Sequence, residues 1–221
     1  MSDQLTAVLF DVDGTLVDSN DAHAAAWVKA FAQHDVNVDP AHVRRCIGMG
    51  GDKLMPAVSG IEEDSPNGTV IAKRRGEIFK QEFLPHLQPF RGAAELIAAI
   101  KQRGLTSVAA SSASKADLKA LLKVTRAEAL MDETTSSDVA EESKPDPDII
   151  EAALKRAKAE PDQAIMIGDT PYDIEAAQRA GVKAIAFRCG GWKDADLRGA
   201  IAIYDGPWEL LARLDEVLRL V

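Results

Sequence analysis

Alternating strand-like and helix-like segments predict an α/β fold with a parallel sheet, interrupted once by a helical insertion. Two observations carry this. Short apolar runs such as Ala7-Val8-Leu9-Phe10 and Ala164-Ile165-Met166-Ile167 stop abruptly at polar residues and lead into stretches with helical spacing. Between about Val17 and Leu87, by contrast, there is no convincing strand.

The first run reads as a buried strand, because a parallel sheet covered on both faces needs apolar residues throughout. It ends at Asp11-Val12-Asp13-Gly14-Thr15. Within the insertion, residues 22–33 and 70–83 read as helices, and Gly48, Gly50, Gly51 and Pro56 break the middle. Hinges are expected near 16–17 and 87–89, where Pro85 and Pro89 close the segment, giving an insertion of 17–87 in a core of 1–16 and 88–221. Ala93, Leu96, Ile97 and Ile100 then fall at helical spacing until Gly104 stops the helix. Residues 105–110 read as the next strand, and Ser114 with Asp117 resembles a capping box. A candidate strand lies near Thr134-Thr135, followed by a helical stripe of Ile149, Ile150, Ala153, Leu154 and Ala157. The strand from Ala164 ends at Gly168-Asp169, where Pro171 suits the first turn of a helix and Gly181 its end. Residues 184–187 and 201–204 look like further strands. Leu210, Leu211, Leu214, Val217, Leu218 and Val221 form a closing amphipathic helix.

Composition narrows the function. With 26 Lys and Arg against 35 Asp and Glu, the net charge is −9. Nucleic-acid binders carry a basic patch or stripe, and Arg44-Arg45 and Lys73-Arg74-Arg75 are too short to make one; they read as solvated helix faces. No apolar run approaches the roughly 18–20 residues that span a bilayer, and the first residues lack a signal-peptide pattern. A cytoplasmic protein with no membrane partner is expected, either a monomer or a weak homodimer. Cys46 and Cys189 fit no CxxC pattern and the four histidines show no ligand spacing, so free thiols and no zinc are expected.

In an open parallel sheet, ligands bind outside the carboxyl ends of the strands. Three predicted strands end there in Asp11-Val12-Asp13, Ser111-Ser112 and Asp169, and Lys144 follows a loop after Thr134-Thr135. Carboxylates gathered there suit a hard, oxygen-seeking cation such as Mg²⁺. A lysine and serine hydroxyls suit a phosphate. Each has a plainer reading alone: Asp-Val-Asp-Gly as a turn, Lys144 as a loop lysine, Asp169 as a helix cap, Asp173 as a first-turn acid favoured by the helix dipole. Ser114 reads as a cap only.

Taken together, four motifs in order resemble the haloacid dehalogenase superfamily, in the subgroup with a helical cap after the first strand, similar to phosphoglycolate phosphatases and β-phosphoglucomutases. They are Asp11-Val12-Asp13-Gly14-Thr15, Ser111, Lys144-Pro145, and Gly168-Asp169-Thr170-Pro171-Tyr172-Asp173. The resemblance covers essentially the whole chain and implies a Rossmann-like, doubly wound parallel-sheet core with an inserted helical cap domain. It also implies a Mg²⁺-dependent phosphatase of small phosphorylated metabolites. Asp11 resembles the nucleophile that becomes an aspartyl phosphate, and Asp13 the general acid and base. Asp11, the backbone carbonyl of Asp13, and Asp169 resemble the Mg²⁺ ligands, with Asp173 supporting the metal through water or from behind its ligands. Lys144 and a serine resemble the phosphate clamp; Ser111 with the N–H of Ser112 is the favoured register and Ser112 the substitute.

Other branches stay open on the insertion. His23 and Trp27 lie one turn apart on its first helix, where core packing and contact with Asp13 or substrate are both readings. Lys53, in Gly48-Met49-Gly50-Gly51-Asp52-Lys53, is an exposed loop lysine or a substrate contact. A sugar-phosphate mutase of the β-phosphoglucomutase type would need a cap arginine where Gly51 stands. A phosphonoacetaldehyde hydrolase would use a lysine placed like Lys53 but carries a small residue at the place of Asp13. A degenerate binding module would have lost a core motif residue, and none is lost. Gly190-Gly191-Trp192 reads as a flexible turn with no assigned role.

Overall fold

The computed structural model describes residues 4–139 and 142–218. Six strands form one sheet: β1 (Ala7–Phe10), β2 (Thr106–Ala110), β3 (Glu133–Thr135), β4 (Ala164–Gly168), β5 (Lys183–Phe187) and β6 (Ala202–Tyr204). Their order is β3-β2-β1-β4-β5-β6 and every neighbouring pair is parallel. The order reverses between β1 and β4, so the loops leaving these two strands diverge and open a crevice at the carboxyl edge. Leu9 is paired with Val108 on one side and Met166 on the other. Central placement explains why all four β1 residues are apolar and buried.

The helices in chain order are α1 (Asn20–Ala32), α2 (Pro40–Cys46), α3 (Gly51–Ser59), α4 (Pro66–Ile78), α5 (Ala93–Gln102), α6 (Lys115–Val124), α7 (Asp148–Ala157), α8 (Pro171–Arg179), α9 (Pro207–Ala212) and α10 (Leu214–Val217). One face of the sheet, carrying Ala7, Leu9, Val108, Ala110 and Met166, is covered by Ile149, Ile150 and Ala153 of α7 and Ile174 and Ala177 of α8. The buried Leu96, Ile97 and Ile100 of α5 lie outside that cluster, where α5 packs on β2 and α9. Helices therefore flank both faces. None of the described helices is long and apolar enough to cross a membrane.

The chain divides into two compact units, one reaching Asp18 and resuming at Gln88, the other Ser19–Leu87. The second is entirely helical: α1 to α4, with α4 continued by a π-turn over Phe79–Phe83. Two elements differ from expectation. Gly48 (φ 114°) and Gly50 do fall in the break between α2 and α3, but Gly51 and Pro56 lie within α3, with Gly50 its extended N-cap; Gly60, at φ 72°, is its left-handed end. Pro56 sits inside α3 and removes one backbone donor, while burial of Leu54 and Met55 holds the helix in place. The closing helix is split at Arg213 (φ −116°, ψ 15°) into α9 and α10. Its apolar stripe survives the break, with Leu210, Leu214 and Val217 buried and Leu211 and Leu218 half-buried; Val221 lies outside the described residues.

The α7 contact on the sheet supports the loop that carries Lys144. Ile150 is fully buried there, and Ile150→Ala is expected to destabilise the protein by about 2–5 kcal/mol through lost contacts and a residual cavity. A denaturant titration checks this; an unchanged midpoint would contradict the packing described.

Candidate active site

The loop after β1 is wound tightly. Leu16 and Val17 both donate to the Val12 carbonyl (2.9 and 3.0 Å), Gly14 donates to Val17 O (2.8 Å), and Gly14 takes φ 74°, a conformation open to glycine. This presents Asp11 and Thr15 at the strand end, both buried. After β4, Thr170 caps α8 reciprocally with Asp173: Asp173 N donates to Thr170 Oγ1 (3.2 Å), and Asp173 Oδ2 accepts from Thr170 N (3.0 Å) and Oγ1 (2.8 Å). A Cβ on Gly168 would stand 2.5 Å from that of Asp173, so only glycine lets the acid fold back.

Lys144, 1 % exposed, joins these loops. Its Nζ donates to Asp11 Oδ1 (2.6 Å) and to the Ala110 carbonyl at the end of β2 (2.9 Å). It also stands 2.7 Å from Asp173 Oδ1, a buried ion pair. The Lys144–Pro145 peptide is cis. The Thr15 hydroxyl lies 3.0 Å from Asp169 Oδ1 and 3.3 Å from Asp11 Oδ2. It has one hydrogen for two carboxylates, so one oxygen pair is left without a proton between them.

One ligand oxygen from each of Asp11, Asp169 and Asp173 lies within 4.8 Å of the others, and all three residues are buried. Three carboxylates against one ammonium leave two negative charges in low dielectric. Burial, reinforced by Asp173 and Asp13, pushes the Asp11 carboxyl up to about 7 against the opposing pull of Lys144. For Lys144 burial opposes the charge, but Asp11 and Asp173 outweigh it and hold the ammonium. The donor set is all oxygen and its charge excess is that of a divalent cation, so the residues fit Mg²⁺. Asp173, whose Oδ2 is spent on Thr170 and whose Oδ1 faces Lys144, is placed to hold the others rather than the ion.

Asp11, Lys144, Asp169 and Asp173 are thus brought together. Asp13, half-buried, lies close enough to raise Asp11, though its side chain is not among the three clustered carboxylates. Ser111 N donates to Thr135 O (3.2 Å), and Ser111 Oγ accepts from Ala113 N (3.1 Å). Ser112 Oγ is buried and makes no hydrogen bond among the described residues. His23 and Lys53 belong to the helical unit. The His23 ring stacks on Phe79 at 4.0 Å, Trp27 stacks near Phe31 at 5.7 Å, and Lys53 is half-buried near the start of α3. Two positions had no assigned role. Thr15 bridges the acids, a role its place in the first motif could have suggested. Gly190 abuts Asp169, a contact between distant segments that no local pattern announces.

The family described as haloacid dehalogenase-like hydrolase matches residues 8–187. The chain belongs to this family. It is 32 % identical over 223 residues to a phosphoglycolate phosphatase of Rhodospirillum rubrum, covering 91 % of this chain and 90 % of that one. It is also 32 % identical to an N-acetylmuramic acid 6-phosphate phosphatase of Pseudomonas aeruginosa, with 97 % of each chain covered. Among solved structures, a hydrolase from Pseudomonas syringae superposes with a TM-score of 0.88 at 27 % identity, covering 96 % of this chain and 99 % of that one. The six-stranded parallel sheet flanked by helices is that of a haloacid dehalogenase-like hydrolase.

The raised Asp11 pKa gives a pH signature. In the unfolded chain an aspartate ionises near 3.8, whereas folded Asp11 holds its proton to about 7. Native protein therefore binds the extra proton between those values, and stability falls as pH rises through that window. A cation that needs ionised Asp11 must displace the proton below about 7. The Mg²⁺-induced rise in Tm is expected to be large at pH 8 and to shrink steadily toward pH 5, as calorimetry on metal-stripped protein would show. A pH-independent rise would contradict the coupling.

Proposed function

We propose that the chain is a Mg²⁺-dependent phosphatase of small phosphorylated metabolites acting through a phosphorylated Asp11. As a haloacid dehalogenase-like hydrolase it is a phosphoric monoester hydrolase. The observation that carries the finer reading is the buried contact of Asp11 with Lys144, beside Asp169 and at the carboxyl edge of the sheet.

In this reading one Asp11 oxygen forms a bond to phosphorus while the bond from phosphorus to the leaving alkoxide breaks, and Asp13 gives that alkoxide its proton. Asp13 then takes a proton from water, whose oxygen attacks phosphorus and releases inorganic phosphate and Asp11. Asp11, Asp169 and the backbone carbonyl of Asp13 would hold Mg²⁺. When bound, the ion offsets the repulsion between carboxylate and phosphate and the charge on the transferring oxygens. Lys144 keeps Asp11 aimed and adds positive charge, and Asp173 holds Lys144 from behind.

For the serine hydroxyl we favour Ser112. The Ser111 oxygen is engaged in its own turn, whereas the Ser112 hydroxyl is buried without a partner among the described residues. Such a group costs about 1–3 kcal/mol, which a phosphate oxygen would offset. The segment 17–87, with His23 and Lys53, is the part we assign to choosing the leaving group. A mutase would need a cation there for a second phosphate. Position 51 instead has the Glu63 carboxylate 2.4 Å from where a Cβ would stand, and an anion is the wrong charge. The enzyme is taken to be cytoplasmic, and a monomer or weak homodimer.

The test is a panel of sugar phosphates, phosphoglycolate and nucleotides with Mg²⁺. Asp11→Asn is expected to lower kcat by about 10³-fold or more while leaving the fold intact. Lys144→Ala should depress all esters together, and Ser112→Ala should raise KM more than Ser111→Ala does. Near-wild-type turnover in folded Asp11→Asn would falsify the mechanism.

A further inference from the structure

We propose that the turn leaving β5, Arg188 to Gly191, positions Asp169 for its cation, and that Arg188 is the residue that pins the turn. The inference rests on the reading of Asp169 as a ligand of Mg²⁺.

β5 lies beside β4 with Ala186 level with Gly168, so the chain beyond Phe187 emerges next to Asp169. A Cβ on Gly190 would fall 1.8 Å from Asp169 Oδ2 and 2.3 Å from its Cγ. Gly190 is not among the glycines of positive φ, so its backbone conformation does not require glycine. The requirement is space: the bare backbone of Gly190 is a wall against which the carboxylate leans. On the other side the Thr15 hydroxyl lies 3.0 Å from Oδ1. Asp169 is held between the two, and a bulkier wall would push it off its position.

The same turn reaches the nucleophile's loop, where Cys189 Sγ lies 3.5 Å from the Gly14 carbonyl. It closes on itself through Gly191 N to Arg188 O (2.9 Å), with Gly191 at φ 93°. Outside, Arg188 makes a two-point fork to Asp194, Nε to Oδ1 at 2.6 Å and Nη2 to Oδ2 at 3.0 Å. Its Nη1 donates to Asp205 Oδ1 at 2.8 Å, just past β6. The planar guanidinium thus ties the turn to two further segments at once, which a lysine's point charge cannot reproduce. Exposed ion pairs of this kind contribute little to global stability. Losing the fork should therefore loosen the wall behind Asp169 without unfolding the chain.

Isothermal titration of Mg²⁺ into metal-stripped full-length protein tests this without turnover. Arg188→Ala is expected to raise Kd about tenfold, and Gly190→Ala nearer a hundredfold, the range seen when groups that orient a ligand are lost. Arg188→Lys should fall between wild type and Arg188→Ala, with the unfolding midpoint of Arg188→Ala unchanged. Arg103→Ala, which removes an exposed ion pair to Asp215 elsewhere, should leave Kd as in wild type; an equal rise there would overturn the proposal. If Gly190→Ala does not fold, Arg188→Ala and Asp194→Asn carry the test. Asp169→Asn separates the two levels. If it binds Mg²⁺ like wild type, the ligand reading fails. If it loses binding while the Arg188 and Gly190 variants keep wild-type Kd, only the positioning role is overturned.

Discussion

Burying an ammonium costs several kcal/mol even after relaxation, and Lys144 is tolerated because three oxygens surround its Nζ. Those oxygens come from separate parts of the chain: Asp11 after β1, the Ala110 carbonyl at the end of β2, and Asp173 on α8 after β4. Lys144 itself arrives by the loop after β3. The interaction can form only if four strands lie parallel, in this order and with their carboxyl ends level. Conversely, once the sheet is built, any slip of one of these loops would leave a charge buried without its partner. The site and the sheet order therefore constrain each other, and the strand reversal between β1 and β4 is what leaves Asp11 and Asp169 facing one crevice.

Much of this was legible in the sequence, because its signals are local. Ala7–Phe10 and Ala164–Gly168 announce themselves as strands since a two-sided burial demands uninterrupted apolar residues. The acids stand directly at their ends. Thr170 and Pro171 mark the start of α8 by ordinary capping chemistry. What was misread depends on context. Glycine and proline around α3 look like breakers, and Gly48 and Gly50 do precede it, yet Gly51 and Pro56 lie within it, and the buried Leu54 and Met55 outweigh the donor lost at Pro56. The apolar stripe of the last helix is real, but the backbone at Arg213 interrupts it, and a stripe alone does not report continuity.

Long-range contacts were the least legible. Gly190 reads as flexibility until its backbone is seen against an acid 21 positions earlier. His23 offers an imidazole that could serve chemistry or packing, and only the structure shows its ring on Phe79. The serine pair was ambiguous for a similar reason. Register along β2 decides which hydroxyl turns back onto the backbone, and two adjacent serines carry no information about that choice.

Charge explains how an acidic chain can receive an anion. Over the whole protein, acids exceed bases and give a net charge of −9, so no long-range field draws phosphate in. Recognition must be local. The clustered acids exceed the one ammonium beside them, the Thr15 hydrogen serves only one of two carboxylates, and Asp11 holds its proton to about 7 because burial disfavours its charge. Each of these features is relieved by the same change, two added positive charges among Asp11 and Asp169. That change ionises Asp11 and makes the crevice attractive to a phosphoryl group at the same moment. Under the roles proposed for Asp11 and the cation, nucleophile activation and substrate attraction are one electrostatic event, by which a site assembled mainly from acids would serve a negatively charged ester.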